Sequence, residues 1–200
     1  GSASYATNAI VGELVTDLEK RLESEPVVAS IGDGRAYFSR ATGRSSIGID
    51  LDKKWLAQGK QDCQELGIPY EYIQASATDT TLPDNSVDAL VNAYTIFYLG
   101  QDDKRQEVEA CVLESNRIVK KGGEFIVALP YSIDDQVIDR WHEHMPSYGF
   151  QLSSYLTPKQ TQSDMMKKGA HILSYEKTRG VKKPQGKDLS FYHGREVFVV

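Results

Sequence analysis

Hydrophobic positions follow two different spacings along this chain. Apolar residues three and four positions apart predict helices, whereas short continuous apolar runs predict buried strands. A helical stripe begins at Ile10, reaches Leu22 and stops before Pro26. Helical stretches also separate the strand-like runs, which predicts a mostly parallel sheet with helices on both faces. These runs are Val27–Ile31, Ser46–Asp50, Tyr70–Ile73, Val87–Val91 and Glu124–Leu129.

Polar residues mark where the helices between these runs begin and end. Asp52 is placed to cap the helix after the second run, and Gly67 to end it. Asp102 and Asp103 stand where the cap and first turn of a later helix belong. We expect Lys120–Gly123 to close that helix, because basic residues followed by glycine suit a helix C-terminus.

The last quarter of the chain has a different pattern. Beyond about Leu152 the helical spacing fades, and two strand-like runs remain near Ile172–Tyr175 and Val197–Val200. A polar loop joins these runs, so we expect them to pair antiparallel. The sheet would then have seven strands and end in an antiparallel pair.

Composition and charge narrow the classes of protein. The chain has 200 residues, 40% of them hydrophobic, with 23 Lys+Arg against 28 Asp+Glu. A net charge of −5 gives no reason to expect nucleic acid or an anionic membrane as partner. Cys63 and Cys111 lie far apart in sequence, and each falls in a predicted helix, which disfavours both a disulfide scaffold and a thiolate metal site. With no apolar run near the length of a membrane span and no signal peptide, we expect a cytoplasmic protein.

A glycine turn and an acidic residue are the clearest candidates for chemistry. Gly32-Asp33-Gly34 follows the first strand, and Asp50 ends the second. In such sheets ligands bind at the carboxyl ends of the strands. Glycines there let the backbone approach a ligand and aim its N–H groups at it, and an acidic side chain can accept hydrogen bonds from both hydroxyls of a ribose. Tyr37 stands where a dinucleotide fingerprint needs a third glycine, which disfavours NAD and FAD.

Four segments resemble motifs of class I S-adenosylmethionine-dependent methyltransferases. Val28–Ala36 resembles the first motif and Gly48–Asp52 the second. Ala75–Ala77 with Leu82–Asp88 is similar to the third, and Arg117–Gly123 resembles the segment before strand five. The resemblance covers roughly residues 6–130. From the length of the chain we expect one Rossmann-like domain over residues 3–200, and we interpret Gly1-Ser2 before it as an expression scar.

The resemblance also implies a cofactor, S-adenosyl-L-methionine, and residues that hold it. Gly32 and Gly34 would wrap its methionine part, Asp50 would hold the ribose, and Leu51 would pack near the adenine. Ser76 and Ala77 would edge the adenine ring. The methyl group and the substrate would face Asn92 and Tyr94, of which Tyr94 is the candidate catalytic residue.

Two positions depart from the family pattern. Ser30 and Ser76 stand where the family commonly has acidic residues near the ammonium and the adenine amino group. Each missing charge-assisted hydrogen bond costs on the order of 1.5–3 kcal/mol. Asp33 is a hypothetical substitute for the charge near the ammonium. Three hypotheses follow: a methyltransferase acting on a small molecule, a catalytically inactive methyltransferase-fold binding or scaffold domain, or an enzyme that uses this fold for a reaction other than methyl transfer.

The remaining candidates give weaker signals. His142 and His144 are two apart on a predicted helix, so they do not face one metal ion, and we expect no metal site. The basic tail loop suits either a phosphate-bearing ligand or RNA, or a solvated hairpin, and no aromatic residues accompany it, so nucleic acid is disfavoured. A protein partner or a homo-oligomer stays open. The loop carries Lys177, Arg179, Lys182, Lys183 and Lys187.

Overall fold

Seven strands form one sheet in the computed structural model, which describes residues 2–101 and 104–191. The strands are β1 (Val28–Ile31), β2 (Ser46–Asp50), β3 (Tyr70–Gln74), β4 (Val87–Ala93), β5 (Val119–Pro130), β6 (Phe150–Leu156) and β7 (Ala170–Lys177). The helices are α1 (Ser2–Leu22), α2 (Tyr37–Thr42), α3 (Lys53–Leu66), α4 (Thr95–Leu99), α5 (Arg105–Ile118), α6 (Asp135–His144) and α7 (Pro158–Thr161). None of these helices, over the described ranges, has the length and apolar character that a membrane crossing needs.

The strand order explains where a ligand crevice can form. It runs β3-β2-β1-β4-β5-β7-β6, with β1 to β5 parallel and β7 antiparallel to both β5 and β6. The chain leaves β1 in one direction for β2 and β3, and returns to its other side as β4. Parallel sheets open a crevice at such a reversal, at the carboxyl ends of the strands. The fold class expected from the sequence is confirmed.

The expected pairing of the last two strands is wrong. Ile172–Tyr175 does lie in a strand, β7, but β5 occupies one side of it and β6 the other. Both edges of β7 are therefore filled by described strands. The run Val197–Val200 lies outside the described residues. The antiparallel neighbour β6 comes from Phe150–Leu156, where no strand was expected.

The expected end of the fifth helix also needs correction. α5 ends at Ile118, and Lys120–Gly123 belongs to β5, because Val119 already pairs with Val87 of β4. Gly122 keeps a positive φ of 86° inside this extended segment, which is a conformation that glycine tolerates. The expected capping residues, Asp102 and Asp103, lie outside the described residues.

Helices cover both faces of the sheet, as expected. On one face α1 packs its apolar stripe against alternate residues of β4 and β5, including Val91 and Ile126. On the other face α5 and α6 pack against the intervening residues, with Trp141 fully buried. The placement of α1 matters for function because its first turns reach the carboxyl ends of β1 and β4.

Candidate active site

The turn after β1 is held tightly against the end of β2. The amide groups of Gly32 and Asp33 both donate to the carbonyl of Ile49, at 2.7 and 3.3 Å. The Gly34 amide donates to Asp50 Oδ2 at 2.9 Å. The expectation that this turn aims its N–H groups at a ligand is therefore wrong for these three groups, since all are used inside the protein.

Glycine is required in this turn by close packing. Gly32 has a φ of +65°, and a Cβ placed on it would lie 1.7 Å from Thr95 Oγ1. The Thr95 hydroxyl donates to the carbonyl of Ile31 at 3.2 Å, which holds α4 against the end of β1. Gly34 also has a positive φ, and a Cβ there would contact the ring of Tyr37. The two glycines thus let the β4–α4 connection and Tyr37 close over the turn.

The Asp50 carboxylate accepts two hydrogen bonds within the protein and can accept more from a ligand. Its Oδ2 accepts from Gly34 and its Oδ1 accepts from the Asp52 amide, both at 2.9 Å. An ionised carboxylate has about four lone-pair sites, so each oxygen can accept one more hydrogen bond. Asp50 is half-buried, and Leu51 beside it is 69% exposed. This edge of the site is therefore an open surface with a carboxylate at its centre.

Asp33 carries a buried carboxylate. It accepts hydrogen bonds from the Tyr70 hydroxyl at 2.8 Å and from the Phe38 amide at 3.4 Å, and Ser30 also hydrogen-bonds to it. Burial raises the pKa of Asp33 to about 6 despite these three donors. No cationic side chain in the described part of the chain forms an ion pair with it. A buried anion without a counter-ion favours the approach of a cation.

A small cavity lies between this turn, the end of β4 and the first turns of α1. Its volume is about 210 Å³. Asn8 of α1 is 3% exposed, and its amide nitrogen donates to the Ser4 carbonyl at 2.8 Å. Its Oδ1 has no hydrogen-bond partner among the residues that the structure describes. The lining of the cavity includes Asn8, Ser30, Gly32, Asp33, Tyr94 and Tyr98.

Tyr94 stands at the mouth of this cavity in an unusual backbone conformation. Its φ is +69°, directly before α4. Its hydroxyl hydrogen-bonds to Thr7 of α1 at 2.7 Å, with Met166 Sδ at 3.9 Å. Burial raises the pKa of the Tyr94 phenol, so the hydroxyl stays protonated at neutral pH. It can donate a hydrogen bond or shape the cavity, but it is a poor general base.

Other predicted site residues lie outside this cavity. Asn92 is fully buried, with its Oδ1 accepting from the Ile96 amide at 2.8 Å and its Nδ2 3.6 Å from Cys111 Sγ. Ser76 pairs with the Thr78 hydroxyl at 2.9 Å. The cavity thus brings together Ser30, Gly32, Asp33 and Tyr94, whereas its lining does not include Gly34, Asp50, Leu51, Ser76, Ala77 or Asn92.

The residue that the sequence analysis missed is Asn8. Its position falls on the stripe of α1 that also buries Val11, Val15 and Leu18. A polar side chain on such an apolar stripe either finds a partner inside the protein or serves a ligand. A polar residue at a buried position of the helix was therefore the signal in the sequence that could have identified Asn8.

Comparisons with known proteins bear on this arrangement. Residues 29–127 match the family model described as a methyltransferase domain. The uncharacterized methyltransferase YcgJ of Bacillus subtilis (strain 168) is 25% identical over 145 residues, covering 70% of this chain and 54% of the relative. The chain therefore spans about half the length of that curated relative.

Solved structures share the fold at low sequence identity. Magnesium protoporphyrin IX methyltransferase from Synechocystis PCC 6803, with bound S-adenosylmethionine, matches with a TM-score of 0.65 and 14% identity over 86% of this chain and 80% of that one. A methyltransferase in complex with the Haloferax volcanii activator Trm112 matches with a TM-score of 0.56 and 16% identity, over 78% of this chain and 83% of that one.

The sheet order, with a glycine turn after β1 and an acid after β2, defines a Rossmann-like fold. The family match and the shared fold assign the chain to the class I S-adenosylmethionine-dependent methyltransferase family. The resemblance stated from the sequence motifs is confirmed.

Proposed function

We propose that this chain binds S-adenosylmethionine and transfers its methyl group to a small-molecule acceptor. The observation that carries the proposal is the cavity beside the Gly32 turn. Within the described part of the chain, its charged group, Asp33, is an acceptor without a counter-ion, and the Asn8 amide oxygen has no hydrogen-bond partner. Such a cavity suits a ligand group that is cationic and donates hydrogen bonds, as an ammonium does.

The residues at the site fit this cofactor in two parts. Asn8, Asp33 and Ser30 would hold the ammonium of the methionine part, and the remaining acceptor capacity of Asp50 would hold the two ribose hydroxyls. A cavity of about 210 Å³ is smaller than the roughly 300–1,000 Å³ of ordinary ligand pockets. The nucleoside would therefore lie along the open surface at Asp50 and Leu51, with Ser76 and Ala77 at its edge.

Bound S-adenosylmethionine supplies a methyl group on a sulfonium that is already an activated leaving group. The protein then needs mainly to orient the acceptor and exclude water. Tyr94 would contribute by position and by its hydroxyl proton, because its raised pKa makes it unsuited to take a proton. An acceptor that must lose a proton would need a base other than Tyr94. Asn92 is buried in the core, where it accepts a hydrogen bond from the Ile96 amide and so supports α4.

An apolar acceptor is favoured by the side chains around the cavity mouth. Tyr98 lines the cavity and is 64% exposed. Met166 is buried, and its sulfur contacts the hydroxyls of Thr7 and Tyr94. An exposed aromatic ring on the cavity lining, with a thioether group next to Tyr94, suits an aromatic or apolar small molecule.

Binding can be tested before the acceptor is known. A ligand that binds only the folded state stabilises it by about 2.7 kcal/mol at 100 times its dissociation constant, so S-adenosylmethionine and S-adenosylhomocysteine should both raise the melting temperature. Asp50→Ala should abolish most of the shift, and Asp17→Ala, an acidic position on α1 outside the cavity lining, should keep it. No shift at millimolar ligand would contradict the proposal.

A second candidate function is a catalytically inactive binding or scaffold domain. One observation in its favour is that the amide groups of the Gly32 turn all donate within the protein. Another is that Ser76 stands at a position where the family commonly has an acidic residue, and its hydroxyl pairs with Thr78. Binding of S-adenosylhomocysteine with no methyl transfer to any acceptor would support it. A protein partner and a cytoplasmic location stay predictions, and a methyltransferase of this fold does occur in complex with the activator Trm112.

A further inference from the structure

A second, larger cavity lies at the opposite edge of the sheet. It forms where the amino ends of β4 and β5 meet the carboxyl end of the antiparallel β7, and its volume is about 510 Å³. β4 spans seven residues between the two edges, so this cavity lies about 20 Å from the Gly32 turn. It is therefore separate from the proposed cofactor site.

Positive charge is concentrated around this cavity. Its lining contains five cationic side chains and one carboxylate, Asp84, although the chain as a whole has a net charge of −5. Arg117 is neutralised by Glu114 and Asp84, at 2.7 and 2.8 Å. The other four cations form no ion pair with any carboxylate that the structure describes. These four are Lys121, Lys177, Arg179 and Lys182.

Lys177 is the most informative of the four because it is buried. Only 4% of the residue is exposed, and its ammonium donates to Asn85 Oδ1 at 2.8 Å. An ammonium has three donors, so the single amide oxygen leaves most of its capacity unused. Lysine is almost never fully buried without an anionic partner, since desolvation of the charge is costly. Burial accordingly lowers the pKa of Lys177.

The backbone around the cavity is fixed rather than loose. Asn85 adopts a φ of +51°, a left-handed conformation that asparagine tolerates, and so directs its amide to Lys177. Asn116 of α5 is 1% exposed, donates to the Arg179 carbonyl at 3.0 Å and accepts from the Val181 amide at 2.9 Å. These bonds hold the segment that carries Arg179 and Lys182 against α5.

We propose that this cavity binds the phosphate groups of a small, multiply charged phosphorylated molecule. The lysine ammonium groups that line this cavity are donors that recognise phosphate oxygens. The Arg179 guanidinium already donates to the Pro146 carbonyl at 3.1 Å, so it contributes positive charge rather than a free donor. Four cations without carboxylate partners match a ligand with several negative charges. Single-stranded nucleic acid fits less well, because none of the described residues that line the cavity is an aromatic residue on which a base could stack.

The test is calorimetric titration of the full chain with inorganic pyrophosphate, and with sulfate for comparison. Pyrophosphate should bind more tightly than sulfate because it carries more charge. Lys177→Met should weaken pyrophosphate binding at least tenfold while the free energy of unfolding stays equal or rises, because a buried unpaired charge is removed. Asp84→Asn should strengthen binding, since the one lining carboxylate that repels phosphate is neutralised.

Two further variants make the result independent of folding defects. Lys121→Met combined with Lys182→Met alters only exposed side chains and should also weaken binding at least tenfold, whereas Lys159→Met, exposed on α7, should leave it unchanged. Equal affinity of the wild type and Lys177→Met, or no binding of pyrophosphate, would overturn the proposal. Lysine-dependent binding of a short RNA without binding of pyrophosphate would overturn it too, in favour of a nucleic-acid surface.

Discussion

Asp33→Asn removes the buried charge from the proposed ammonium cavity with little change of shape. Burial raises the pKa of Asp33 from 3.8 to about 6, so over this range the native protein holds a proton that the unfolded chain has released. The free energy of unfolding therefore falls as the pH rises from about 4 to 6. A difference of about two pH units, at roughly 1.4 kcal/mol each, makes the total loss about 3 kcal/mol.

The asparagine variant should lose this dependence on pH. Its side-chain oxygen can still accept from the Tyr70 hydroxyl, so the two proteins should have similar stability near pH 4, where both groups are neutral. Above pH 7 the variant should be the more stable one, by up to about 3 kcal/mol. Urea unfolding followed by circular dichroism at a series of pH values measures the difference directly.

Tyr70→Phe is the matched control for this experiment. It removes a hydroxyl that lowers the pKa of Asp33 by donating to the charged form, so its loss of stability should be greater at pH 8 than at pH 5. A constant difference between wild type and Asp33→Asn across the pH range would refute the reasoning. So would an asparagine variant that is less stable at pH 8, because the ionised carboxylate would then be stabilising.

Three further variants test the turn and the cavity. Asp50→Ala should lower the affinity for S-adenosylhomocysteine more than tenfold in a calorimetric titration, because it removes the carboxylate proposed to bind the ribose diol. Asn8→Leu should change the free energy of unfolding by less than about 1 kcal/mol, because it removes one hydrogen bond together with an acceptor that has no partner among the described residues. The same variant should bind S-adenosylhomocysteine at least tenfold more weakly. Gly32→Ala should destabilise the protein by at least about 2 kcal/mol in urea unfolding, since it combines a left-handed φ with a clash against Thr95. Combining it with Thr95→Gly should restore part of that loss, and a double variant no more stable than the single one would exclude the clash.

The sequence predicted the strands that are buried on both faces but not the one at the far edge. β1, β2 and β4 are short apolar runs between helices, and their pattern is unambiguous. β6 was missed because its register against β7 shifts between Leu152 and Ser154, which breaks the alternation of apolar and polar positions. Lys120–Gly123 suits a helix end by composition, but the pairing of Val119 with Val87 extends β5 through it. Pairing partners of this kind depend on tertiary structure.

The sequence predicted at which strand ends the candidate site lies, but neither its hydrogen-bond partners nor the contribution of α1. Gly32 and Asp50 follow β1 and β2, and in a parallel sheet such positions necessarily come to the same edge. Which acceptors receive the amide groups of the turn depends on the register of β1 against β2, which brings the Ile49 carbonyl and Asp50 to them. Asn8 reaches the cavity only because α1 packs across β4 and β5, which its own sequence does not specify.

The central claim is that the cavity at Asn8 and Asp33 is an ammonium site. Calorimetric comparison of S-adenosylhomocysteine with methylthioadenosine, which keeps the nucleoside but lacks the amino acid part, tests it most directly. The wild type should bind S-adenosylhomocysteine at least tenfold more tightly, and Asp33→Asn should lose most of that preference while its affinity for methylthioadenosine stays unchanged. Equal affinity of the wild type for both ligands, or a preference that survives in Asp33→Asn, would contradict the claim.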